Sequence, residues 1–187
     1  TAVKTIGILT SGGDAPGMNA AIRGILRMAI FLNLEVCGVY QGYQGLLEEE
    51  FINMTSFMAG GIIHRGGTIL KTARCALFTS DSIQKKAVGI LKARHVDGMI
   101  VIGGDGSLKG AAALSRQGIP TITIPATIDN DMAGTEETIG FDTAVNTVLY
   151  AVRKIRDTAA SHNRAAIIEV MGRHSGHIAL AAGLSSG

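Results

Sequence analysis

Five short, largely aliphatic runs alternate along the chain with longer segments of helical periodicity. That alternation limits the folds open to the chain more than any other feature. The runs are Thr5–Thr10, Glu35–Tyr40, Gly98–Ile102, Pro120–Ile124 and Ala165–Val170. Most are apolar at consecutive positions, the pattern of strands in a parallel sheet covered on both faces. Between the first two, Met18, Ile22, Ile25, Leu26, Ala29 and Leu32 recur at helical spacing, with Pro16 where a first-turn proline is tolerated. Ser80–Arg94 repeats the pattern through Ile83, Ala87, Ile90 and Leu91, and Ser107–Gln117 is a third helix stopped by Gly118. The longest expected helix, Phe141–Ser161, carries a stripe of Val145, Val148, Leu149, Val152, Ile155 and Ala159. Strand and helix in alternation predict an α/β doubly wound fold with a mostly parallel sheet. Ligands of such sheets bind beyond the carboxyl ends of the strands.

Composition narrows the function. The 187 residues include 17 Lys and Arg against 15 Asp and Glu, a net charge of +2. Near-neutrality without a basic tail argues against nucleic acid or an anionic membrane as the main partner. Hydrophobic residues make up 47%, enough for a sizeable core, and no apolar run approaches the roughly 18 residues of a membrane helix. Thr1-Ala-Val-Lys-Thr runs straight into the first strand pattern, so no signal peptide is expected. With only Cys37 and Cys75, the chain is expected in a reducing, cytoplasmic setting without a disulfide framework. A boundary is expected near Gly140, dividing a nucleotide-binding domain, 1–140, from the start of a second α/β domain, 141–187. Because the chain stops at Leu184-Ser-Ser-Gly187 with no closing strand, it is expected to be a truncated piece.

The 25 glycines are clustered, and three loops that directly follow strands hold the candidate chemistry. Thr10-Ser-Gly-Gly-Asp-Ala-Pro-Gly17 lies between a strand and a helix, where backbone N–H groups approach an anion favoured by the helix dipole. A tight turn explains it equally well. In Gly103-Gly-Asp-Gly-Ser107, Asp105 suits Mg²⁺ bound to phosphate oxygens, and Gly106 leaves room for a nucleotide. An N-cap role for Asp105 is the alternative. Pro125-Ala-Thr-Ile-Asp-Asn-Asp131 offers Asp129 and Asp131 as base and charge partner, or a simple Asx turn. Arg74, Arg164 and Arg173 lie near glycine loops or expected strand ends, where guanidinium groups suit phosphate or serve as surface ion pairs. His174 and His177 are three apart, but no Cys or carboxylate cluster completes a metal set with them. The seven Met residues read as core fillers and Glu48-Glu-Glu50 as a solvated loop.

Taken in order, these blocks resemble the phosphofructokinase family. The resemblance rests on the first loop and on Gly42-Tyr-Gln-Gly45, Arg65-Gly-Gly-Thr68, Gly103–Ser107, Thr127–Asp131, Thr138-Ile-Gly-Phe141, Arg156-Asp-Thr-Ala159, Ser161-His162 and Glu169-Val-Met-Gly-Arg173. It implies a Rossmann-like sheet and Mg²⁺-dependent transfer of a phosphoryl group from ATP to the 1-hydroxyl of fructose 6-phosphate. By the same resemblance Asp129 matches the catalytic base, flanked by Thr127 and Asp131, and Arg173 positions the carboxylates. Gly12, Tyr43, Arg74, Cys75, Gly103, Gly104, Asp105, Gly106 and Ser107 fall at nucleotide positions, with Asp105 at the Mg²⁺ position and Arg74 near the transferred group. Thr127, Ile128, Asp129, Met171, Gly172 and Arg173 border the sugar phosphate, and Arg164 reaches that of a neighbouring subunit. A homo-oligomer, commonly a tetramer, is thereby implied.

Pyrophosphate-using relatives carry Asp where Gly106 stands and Lys where Ala126 stands, so ATP is the expected donor. Ala126 also replaces the glycine usual in ATP-dependent bacterial relatives, and its methyl is expected to narrow the site or shift the donor preference modestly. Arg23, Arg27 and Arg156 match effector-site arginines for ADP or phosphoenolpyruvate, although Ser56 and Gly61 replace charged effector contacts, and near the nucleotide Thr79 replaces an arginine. Arg23 and Arg27 also fit a solvated helix face. The alternatives are a pyrophosphate-dependent enzyme, an NAD or lipid kinase, and a catalytically silent nucleotide-binding fragment.

Overall fold

The computed structural model describes residues 3–187, so Thr1 and Ala2, at the head of the segment preceding the first strand, lie outside it. The strands are β1 (Thr5–Ser11), β2 (Glu35–Val39), β3 (Phe51–Asn53), β4 (Gly98–Gly103) and β5 (Thr121–Pro125). The helices are α1 (Met18–Phe31), α2 (Gly42–Leu47), α3 (Asp81–Ala93), α4 (Asp105–Arg116), α5 (Phe141–Ser161) and α6 (His177–Ser186). The strands form one sheet in the order β3-β2-β1-β4-β5, parallel except for the antiparallel β3. β1 pairs with β4 from Ile6–Gly98 to Ser11–Gly103, so their carboxyl ends finish side by side.

Consecutive apolar residues on β1 are divided between the two faces. Leu9 joins Val101, Leu91, Leu114 and Phe78 in one core, while Ile8 joins Ile102, Met18, Ile22 and Leu26 in the other. This two-sided burial is why the strands read as continuous apolar runs. The turn after β2 needs glycine. Gly42 has φ +60°, and a Cβ there would stand 2.7 Å from the Thr10 carbonyl oxygen.

Four expectations are corrected. Ala165–Val170 is not a strand: no strand lies beside it among the described residues to take its backbone hydrogen bonds, and Ile167 is fully exposed. Arg164 and Arg173 therefore sit in loops. The α5 stripe is only partly covered, with Val145 buried against Ile178 and Ala182 of α6 while Ile155 is 39% exposed. Nor are all the methionines core fillers, since Met28 and Met171 are mostly exposed. α4 begins two residues earlier than its periodicity suggests, at Asp105.

Ile102 is fully buried, whereas Phe57 is 90% exposed. Ile102→Ala is expected to lower unfolding free energy by about 2–5 kcal/mol in denaturant titrations, and Phe57→Ala by no more than about 0.5 kcal/mol.

Candidate functional site

The three loops converge because β1, β4 and β5 are neighbours in the sheet. The strand order reverses between β1 and β4, the crevice where doubly wound sheets bind ligands. Ser107 sews the first two loops together, its hydroxyl donating to Ser11 O at 2.9 Å. The fit is close: a Cβ on Gly103 would lie 2.5 Å from both Ser107 Oγ and Ser11 O. Tyr43 supports the same point from behind, with its hydroxyl 2.7 Å from Ser107 O and its ring stacked on Phe78 at 4.1 Å. Tyr43 and Ser107 are both about 4% exposed, so they brace the loop and leave little side-chain surface for a ligand.

The open side is formed by Gly13, Asp105 and Gly106, all exposed, with Gly12 and Gly104 half-buried. A Cβ added to Gly106 meets nothing within 4 Å. Asp105 and Gly106 begin α4, whose first N–H groups have no intrahelical partners and form the positive end of the helix dipole. Asp105 is a single carboxylate, 2.6 Å from Lys109 Nζ. No group of three or more His, Cys, Asp or Glu gathers as a metal site among the described residues. A cation at Asp105 fits only as one shared with phosphate oxygens, the ordinary way Mg²⁺ is held beside nucleotides.

The third loop lies against the second. A Cβ on Gly104 would be 3.6 Å from Thr127 Cβ. Asp129 N donates to Thr127 Oγ1 at 3.2 Å, and Thr138 Oγ1 donates to Thr127 O at 2.6 Å. Asn130, at φ +49°, accepts from Thr138 N at 2.9 Å and donates to Glu136 O at 3.2 Å. Asparagine tolerates that left-handed conformation better than most residues. Ser175 Oγ donates to Asp129 O at 2.7 Å and so brings the 171–176 turn beside the loop. Asp129 is half-buried, and its carboxyl is held above the usual value of 3.8, first by desolvation and then by Asp131, while Arg173 opposes the shift. Asp129, Asp131 and Arg173 are thus in electrostatic contact.

Ala126 overturns one expectation. It is fully buried in the apolar cluster with Ile102 and Met18, so its methyl faces the core and does not narrow the site. Cys75 is half-buried against the other core, and Arg74 beside it is exposed. Ile128 is half-buried and packs on both the α1 and α5 sides. Met171 is exposed and Gly172 buried.

Other candidates lie apart. Arg164 follows the end of α5, whose 21 residues span about 30 Å from its root beside the site. Arg156 donates to Gly187 O at 3.2 Å. Arg23 donates to Ala59 O, and Arg27 lines a shallow depression with Ile30, Phe31 and Ser56. Glu48, Glu49 and Glu50 each have a partner, in Gln44, Arg94 and Gln41, and are not merely solvated. Sequence reasoning passed over Asn130, Thr138 and Ser175 as individual site residues. Only the first two fell within recognisable blocks.

Fold and site together define an α/β protein with a glycine-lined crevice at the carboxyl ends of parallel strands, beside a pair of carboxylates. The phosphofructokinase profile matches residues 5–187, and the chain belongs to that family. It is 57% identical over 185 residues to the ATP-dependent 6-phosphofructokinase of Alkaliphilus metalliredigens and 60% identical to that of Clostridium botulinum (strain Eklund 17B / Type B). Each alignment covers 99% of this chain but 58% of the relative, so the chain spans a little over half their length. Among solved structures, Pichia pastoris phosphofructokinase in the T-state superposes with a TM-score of 0.91 at 37% identity, over 99% of this chain and 23% of that one. A pyrophosphate-dependent phosphofructokinase from Marinobacter aquaeolei gives 0.80 at 26%, over 99% and 50%.

The Asp129 shift carries a stability consequence. The folded state holds this proton more tightly than the unfolded state, so its contribution is present at low pH and is lost as pH rises from about 3.8 through the raised value. Asp129→Asn is expected to raise the melting temperature at neutral pH and to flatten its fall above pH 3.8. An unchanged profile would contradict the buried, repelled carboxylate.

Proposed function

We propose that the chain carries the nucleotide site and catalytic base of an ATP-dependent 6-phosphofructokinase. The enzyme would transfer the terminal phosphoryl group of ATP to the 1-hydroxyl of fructose 6-phosphate. One observation carries this reading: two glycine loops and the Asp129 loop meet at the carboxyl ends of adjacent parallel strands, with open space over Gly106. The names of the relatives support the same donor and reaction.

The phosphates lie along Gly12 and Gly103–Ser107, where the first N–H groups of α4 meet negative charge. Asp129 accepts the proton of the attacking hydroxyl. Its raised proton affinity, from desolvation and the nearby Asp131, makes it a stronger base than an ordinary aspartate. Arg173 and Asp131 orient and tune it, and Thr127 holds its backbone. Asp105 would hold Mg²⁺, which when bound would supply charge neutralisation to the phosphates. Arg74 offsets charge on the transferred group. Ile128, Met171 and Gly172 border the sugar. Arg164, remote from this crevice, serves a neighbouring subunit, which makes the enzyme a homo-oligomer, a tetramer by the family's habit. Arg23, Arg27 and Arg156 belong to a separate ADP or phosphoenolpyruvate effector site. Residues 141–187 begin a second, sugar-binding domain. The enzyme works in the cytoplasm as part of glycolysis.

A nucleotide-binding chain without turnover and a pyrophosphate-dependent enzyme are the competing readings. A coupled assay with ATP or pyrophosphate decides among the three outcomes. Asp129→Asn is expected to reduce kcat by about 10²- to 10⁴-fold with little change in KM, and an unchanged kcat would remove Asp129 as the base. Gly106→Asp is expected to fold as the parent does, since nothing crowds the position, but to bind ATP more weakly in calorimetric titration.

A further inference from the structure

Residues 64–75 contain neither helix nor strand, yet side chains fix them to the first loop at several points. Asn19, at 1% exposure, directs all its polar atoms at this strap: Nδ2 donates to Arg65 O at 3.0 Å and to Gly66 O at 3.3 Å, and Oδ1 accepts from Ile69 N at 2.8 Å. Thr10, fully buried, donates to Lys71 O at 2.7 Å and so takes the Thr68 hydroxyl, 2.9 Å away, as its donor. Thr72 Oγ1 donates to Gly12 O at 2.6 Å. Two residues further on, Arg74 is exposed and forms no ion pair among the described residues. The strap is therefore fixed by side chains from the strand end and helix that frame the first loop, and it ends in a free guanidinium. Arg74 therefore has its backbone fixed two residues beyond the Thr72 anchor, beside the first loop.

We propose that Asn19, Thr10 and Thr72 are positioning residues that lock the strap along the first glycine loop and so hold Arg74 over the phosphate end of a bound nucleotide. This rests on the nucleotide reading above.

Thr72 is the residue to test, because Val keeps its shape and Ser keeps its hydroxyl at a half-buried position. ATP binding is measured by calorimetry on the parent, Thr72→Val, Thr72→Ser, Arg74→Ala and the Thr72→Val/Arg74→Ala double variant. Thr72→Val is expected to weaken ATP roughly five- to tenfold, the effect of losing one such hydrogen bond. Thr72→Ser is expected to restore it, and Thr72→Val to add no further loss once Arg74 is gone. AMP, which lacks the terminal phosphates, is expected to bind the parent and Thr72→Val alike. Parent-like ATP affinity in Thr72→Val overturns the proposal, as does an equal loss in the Arg74→Ala background or an equal loss for AMP. A parent that binds no ATP sinks the nucleotide reading and this inference with it, whereas binding without coupling sinks the inference alone.

Discussion

The parallel pairing of β1 with β4 is the contact on which the rest depends. Its register ends with Ser11 opposite Gly103, so two glycine loops leave the sheet at the same height. Ser107 then needs only one hydroxyl to join them. Adding β5 beside β4 brings the Asp129 loop to the same level. Polar backbone, helix N-terminus and carboxylates meet at one crevice, although their sequence positions lie more than a hundred residues apart. A shift of one residue in this register would separate the loops and turn the buried faces of both strands outward.

Packing explains why the crevice keeps its form. The polar groups beneath it are paired: Asn19, Thr10, Ser107 and Thr138 are buried and each has its partner. Buried polar groups with complete partners specify one arrangement, because every alternative strands a donor or acceptor away from water. The exposed residues Asp105, Gly106 and Arg74 thus stand on a rigid base.

Much of the fold was legible in the sequence, for physical reasons. β1, β2 and β4 are largely buried and so read as apolar runs, and β4 and β5 end in glycine and proline, so composition and punctuation agree. β3 has three residues and α2 six, too short for any period to register. Residues 165–170 carry the composition of a strand, but a strand is defined by its neighbours, and fully exposed Ile167 has none. At the site, the glycines and carboxylates announced themselves. The direction of the Ala126 side chain did not, because one methyl looks the same facing a core or a ligand. The clamp from Asn19, Thr10 and Thr72 was equally hidden, since it joins residues 46 to 61 positions apart.

The long helix α5 has a mechanical meaning of its own. It is rooted at Gly140, where a Cβ would press within 2.8 Å of Ala15, and it runs about 30 Å outward with most of its length uncovered. Such an element is a lever arm. A tilt of about 2° at the root moves the far end by roughly 1 Å, given that length. The root packs against the first glycine loop, and Arg156 and Arg164 ride near the tip. Small adjustments beside the crevice are therefore magnified at those two guanidinium groups.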